Sequence, residues 1–121
     1  MAFHDLIGLR VVETTDDGVI VEIDLAAQHM NTDAVAHGGV TATLVDAAVG
    51  IALQHHRPDE RTTTVEMKVN YLRPADQGLL RAQSHIVKSG RTLIVGTVDV
   101  TDVHGRHVAV GLLTYMVVPQ L

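Results

Sequence analysis

Asp46 is the only Asp, Glu, Lys or Arg between Asp33 and Arg57, in a stretch made largely of Gly, Ala, Val, Leu, Ile and Thr. Aspartate is a poor helix former because its side chain competes for nearby backbone groups. Burying such a carboxylate without partners is costly, so a charge placed here needs a reason. One reason is chemical: a general base or nucleophile facing a cleft. A structural Asp bonded to a neighbouring chain, or a solvent-facing helix stripe, would leave the same mark. Position alone keeps both readings open.

The surroundings of Asp46 extend the pattern. Gly39, Thr43, Asp46 and Gly50 follow at spacings of four, three and four, which puts them on one helix face. That face is small and polar, as a cleft that admits a ligand would be; a face packed on a twin helix would look similar. His37-Gly38-Gly39 opens the same segment. First-turn amides of a helix lack internal partners, and the macrodipole adds partial positive charge there. Glycines let a ligand approach that backbone closely. Such a helix start can stabilise a carbonyl oxygen that gains negative charge in a transition state. The plainer alternative is a Gly-rich helix start with His37 as a cap or packing residue. The small side chains of Ala47, Val49 and Gly50 suggest room for a bound group.

These residues need elements to hold them. Residues 37–56 read as one long helix, by length and by Ala and Leu content, apolar nearly all round and so buried on most sides. Arg57-Pro58 ends it, since a residue before Pro is pushed out of helical geometry. Ahead of it, residues 9–15 and 19–25 are β-branched runs joined by Asp16-Asp17-Gly18, a hairpin signal. Residues 26–36 read as a loop. After the helix come four runs: 62–73, 79–88, 91–103 and 106–118. In the first of them Val65, Met67, Val69 and Tyr71 alternate with Thr64, Glu66, Lys68 and Asn70. Short turns between these runs predict an antiparallel meander. The expected class is α+β: a curved antiparallel sheet of about six strands wrapped around one long buried helix, the hotdog fold.

Composition bounds the function. A chain of 121 residues suits a single domain spanning 1–121. Aromatic content is only 2%, so the core must be aliphatic and the buried area modest, which makes a homo-oligomer plausible. With a net charge of -5 and no basic run, nucleic-acid binding is not expected. No stretch reaches the roughly 20 apolar residues of a membrane span. The first ten residues do not read as a secretory signal, and a cytoplasmic protein is the expectation. Cysteine is absent. The eight His residues form only two close pairs, His55-His56 and His104-x-x-His107, and no HExxH occurs, so no metal is expected.

The segment HGGVTATLVD, from His37 to Asp46, resembles the signature of the PaaI-like, THEM-type branch of hotdog acyl-CoA thioesterases. The similarity continues through TVEMKVNYLRPA and VKSGRTLIVGTVDVTD, so it covers most of the chain. One acid is enough for such chemistry, because a thiolate with a pKa of about 8.5 leaves without a dedicated proton donor. The resemblance implies roles for residues at matching positions. The Gly38 amide and the Asn31 side chain would polarise the thioester carbonyl, with His37, Gly39 and Gly50 lining the binding site. Asp46 would activate water or attack directly, and Thr64 would help to orient the water. The site would lie across a subunit interface, in a dimer that assembles to a tetramer. CoA, as part of the acyl-CoA substrate and not a cofactor, would lie near the turn Lys88-Ser89-Gly90-Arg91; an ordinary solvated hairpin is the alternative. Two other functions share the fold: a dehydratase or hydratase acting on hydroxyacyl thioesters, and a non-catalytic acyl-thioester binding protein. The first needs an imidazole beside the acid, and the joint presence of Asn31, Gly38, Asp46 and Thr64 argues against the second.

Overall fold

The computed structural model describes residues 2–119; Met1, Gln120 and Leu121, the ends of the expected domain, lie outside the described residues. The elements run α1 (Ala2–Ile7), β1 (Arg10–Thr14), β2 (Val19–Asp24), a short 3-10 turn (Ala27–His29), α2 (Gly38–His56), β3 (Arg61–Tyr71), β4 (Leu79–Ser89), β5 (Leu93–Thr101) and β6 (His107–Val118). All six strands form one antiparallel sheet in the order β1-β2-β4-β5-β6-β3. With one long helix packed against it, this is the expected hotdog arrangement.

The first hairpin forms where its Asp-Asp-Gly signal lies, closed by the Thr15 amide on the Gly18 carbonyl at 3.0 Å. Gly18 is needed there for close approach. A Cβ on it would fall 1.9 Å from the Ser84 carbonyl oxygen of β4, and only a residue without one lets the hairpin reach its neighbour. Ser84, wholly buried, then joins sheet to helix: its Oγ accepts from the Val19 amide and donates to the Ala48 carbonyl at 2.7 Å.

α2 starts on His37, whose Nδ1 accepts the Gly39 amide at 2.8 Å, and ends at Arg57, as the following Pro requires. Leu44, Val45, Val49, Ala52 and Leu53 are buried in the core with Ile23, Leu80, Ile94 and Leu113. Each large aliphatic side chain so buried contributes about 1.5–3 kcal/mol. Along the otherwise buried helix the Thr43, Asp46 and Gly50 flank stays half-buried. One expectation is corrected here: Val49 faces the core rather than any binding space.

The strand reading needs two further corrections. β4, β5 and β6 do form the meander, but β3 is not beside β4; it pairs with β6, from Arg61↔Val118 to Tyr71↔Ala109. Instead of closing a hairpin, residues 72–78 are tied to the chain before α2, by the Ala36 amide on Ala75 O (2.7 Å) and the Leu25 amide on Gly78 O (2.8 Å). The connection therefore passes the start of α2 to reach the other side of the sheet. The second correction concerns faces. A β-bulge between Thr64 and Glu66 adds one residue to β3. Strict alternation would set Thr64 opposite Met67. With the bulge, Thr64 (beside Tyr115) and Met67 (beside Leu113) share the face toward α2.

α1 was not expected from the sequence, being too short for a clear period. It is closed by the Leu9 amide on His4 O at 3.0 Å and by Gly8 at φ +75°. Buried His29 secures it. Its Nδ1 accepts from the Ala26 amide, so its Nε2 carries the proton and donates to Ile7 O at 2.8 Å.

Candidate active site

α2 and β3 wall a cleft of about 610 Å³, closed at one end by Phe3 and His4 of α1. Thr43, Asp46 and Gly50 line it from the helix, and Thr62, Thr64 and Met67 from the strand. Three of the four residues of the polar helix stripe thus reach one space. The fourth, Gly39, does not line it; its carbonyl accepts the Thr43 hydroxyl at 2.8 Å.

Asp46 is held asymmetrically. Its Oδ1 accepts from the Thr64 hydroxyl at 2.8 Å and from the Tyr115 hydroxyl at 2.5 Å. The Tyr115 oxygen also lies 2.9 Å from the main-chain carbonyl of Asp46. Oδ2 has no partner among the described residues. No buried side-chain polar atom among the described residues lacks one, so Oδ2 is open to the cleft. Burial, and then the neighbouring Asp46, push the Tyr115 phenol well above its ordinary range, which keeps it a proton donor to the carboxylate.

Other expected residues lie elsewhere. Gly38 begins α2 eight residues before Asp46, about 12 Å along the axis. It borders a separate recess of about 350 Å³ with Tyr71 and Arg73. The Tyr71 hydroxyl donates to Gly38 O at 2.6 Å, while the Gly38 amide has no partner among the described residues. Asn31 lines neither space. Its Oδ1 accepts from the amides of Asp33 (2.9 Å) and Val35 (3.3 Å), which leaves its amide nitrogen free to donate. His37 is the helix cap, with Nδ1 committed to Gly39. Within one chain, then, the groups expected to polarise a carbonyl and Asp46 do not meet.

The turn Lys88-Ser89-Gly90-Arg91 also lies off the cleft. Arg57 holds it from the end of α2, with Nη1 donating to Ser89 Oγ at 3.1 Å and Gly90 O at 2.5 Å. Lys88 and Arg91 are exposed and form no ion pair among the described residues. No group of three or more His, Asp or Glu that could hold a metal occurs among the described residues. Among them, too, no helix is long and apolar enough to cross a membrane.

The model of the thioesterase superfamily matches residues 33–109, well over half of the chain. The chain belongs to the thioesterase superfamily. Mouse acyl-coenzyme A thioesterase 13 is 34% identical over 107 residues, covering 82% of this chain and 76% of that protein. A conserved protein of Pseudomonas aeruginosa superposes with a TM-score of 0.92 at 30% identity, over 98% and 94% of the two chains. The phenylacetic acid degradation protein PaaI of Thermus thermophilus shares the fold, with a TM-score of 0.88 at 24% identity over 96% and 98%. The protein is a thioester hydrolase of hotdog fold.

In this thioesterase Tyr115, the second donor to Asp46, is not among the residues expected from the sequence; it lies beyond the matched segment, as Asn31 lies before it. The signal was present. Ala109, Gly111, Leu113 and Tyr115 are the inward positions of β6, and a tyrosine on a buried face must find a partner for its hydroxyl. That the partner is Asp46 could not be read without the strand order.

Proposed function

We propose that this thioesterase hydrolyses an acyl-CoA to the free acid and CoA, with Asp46 Oδ2 as the reacting atom. The observation that carries the reading is the one-sided hold on the carboxylate: two hydroxyls fix Oδ1 while Oδ2 opens on the cleft. Oδ2 can take a proton from an attacking water or attack the thioester carbonyl itself. Thr64 aligns the carboxylate and stands where it can also touch the water. Phe3, Ala47, Ile51 and Met67 give the cleft an apolar lining suited to an acyl group. Lys88 and Arg91, exposed and without an ion pair among the described residues, suit the CoA phosphates.

The carbonyl polarisers come from a second copy of the chain in this reading. Two observations support it. Gly38 and Asn31 do not face Asp46 in their own chain. In addition, β3 is an edge strand of 11 residues with Val65, Met67 and Tyr71 partly exposed, a surface that proteins seldom leave bare. A partner packed along β3 would bring its own helix start toward Asp46. The hydratase alternative is disfavoured for His37, the imidazole the sequence offered for it, since its Nδ1 is committed to capping α2 and it does not line the cleft.

The direct test is free-thiol release from a panel of straight-chain and aryl CoA thioesters, with acid and thiol formed in equal amounts. A folded protein that releases no thiol from any of them, or that hydrates an enoyl-CoA instead, would refute the reading. For the shared site, Val65→Lys should disrupt the β3 edge. Light scattering should then show monomers, and hydrolysis should fall at least about a hundredfold, as expected when oxyanion donors are lost. Monomers with wild-type turnover would show that one chain suffices.

A further inference from the structure

Tyr115 supplies one of the two hydroxyls that hold Asp46 Oδ1. Its side chain is 5% exposed and leaves β6 on the face toward α2, opposite Thr64 in the sheet register. Its oxygen sits 2.5 Å from Asp46 Oδ1 and 2.9 Å from Asp46 O, so one hydroxyl touches both the carboxylate and the helix backbone that carries it. A glycine makes this possible. A Cβ at Gly50, one turn beyond Asp46, would stand 3.1 Å from the Tyr115 oxygen. Gly50 lines the cleft, but it also leaves the gap through which the hydroxyl reaches the helix.

We propose that Tyr115 is a positioning residue for hydrolysis: with Thr64 it pins Asp46 Oδ1, so that Oδ2 alone is presented to the substrate. Without it the carboxylate would have one hydroxyl donor, on the bulged edge strand, and its χ2 would be free to swing Oδ2 off line. Tyr115 sits on β6, held by strands on both sides, and is the firmer of the two anchors. The remaining ionisable groups around the cleft are His4, Glu60 and Arg61. Glu60 is engaged with Arg57 at 2.6 Å, and among the described residues none of the three bonds to Asp46. The inference rests on Asp46 being the reacting acid.

The test is Tyr115→Phe, which removes one oxygen and keeps the ring. With a CoA thioester that the wild type cleaves, kcat should fall about ten- to a hundredfold, the scale of one hydrogen bond to a charged group. KM should stay within about twofold, because no substrate contact is lost. In an Asp46→Asn background, measured by single turnover, Tyr115→Phe should lower the residual rate no further, since the reacting oxygen it positions is gone. A merely structural tyrosine would lower both backgrounds alike, and that result would overturn the inference. So would unchanged kcat in folded Tyr115→Phe while Asp46→Asn is inactive, with the wider functional reading left standing. Active Asp46→Asn would sink both. If Tyr115→Phe does not fold, Gly50→Ala displaces the same hydroxyl from the other side and should give a loss that falls mainly on kcat; unchanged kcat there would equally overturn the inference.

Discussion

Asp46→Asn should abolish thioester hydrolysis and leave the protein folded. The Asn carbonyl can take the place of Oδ1 and still accept from Thr64 and Tyr115, so the two hydroxyls that hold residue 46 keep their acceptor. What changes is the atom facing the cleft. An amide nitrogen there can neither take a proton from water nor attack a carbonyl. A positioned general base contributes roughly a hundredfold or more, so kcat should fall by at least about that factor. Thermal unfolding should shift little, because nothing in the core is altered. Acyl-CoA binding should persist, measured with the intact thioester that the variant no longer cleaves. Near-normal turnover by the folded variant would remove Asp46 from the mechanism.

Asn31→Asp should lower kcat by about a hundred- to a thousandfold, the range for losing one oxyanion donor. The choice of Asp over Ala follows from the structure. Asn31 Oδ1 organises its own loop by accepting the amides of Asp33 and Val35. Alanine would lose that turn together with the donor, and any fall in rate would be ambiguous. Aspartate keeps the acceptor, deletes the free amide N–H and places negative charge where a developing oxyanion would sit. The loop should therefore survive while the transition state loses its support. Unchanged turnover in Asn31→Asp would mean that this side chain does not polarise the carbonyl, and would leave the Gly38 amide as the only candidate.

Much of the arrangement behind these expectations was legible before any coordinates. The helix from His37 to Arg57 is specified by local chemistry: Ala- and Leu-rich sequence, a capping side chain at its start, and Pro58 at its end. Asp46 stood out because a lone charge in an apolar helix is costly wherever that helix packs. Strands β2 and β4 to β6 follow from alternation and turn residues, which act over a few residues. The 3-10 turn and the six-residue α1 did not, since such short segments take their shape from contacts such as His29 on Ile7 O.

The sequence by itself determined which residue types could do chemistry here, and on which local element each sits. The acid, the Gly-rich helix start and the hydroxyl strand are all written in neighbouring residues, whose spacing sets their face. Only the tertiary structure decided which of them meet. Strict alternation would turn Thr64 away from Met67; a bulge turns both toward α2. Tyr115 is 69 residues from Asp46 and touches it because β6 pairs with β3 rather than ending a four-strand meander. Gly38 and Asp46 share one helix yet open on different spaces. Local pattern reports the intrinsic preferences of a short segment, whereas strand order, bulges and partner surfaces are set by the packing free energy of the whole chain.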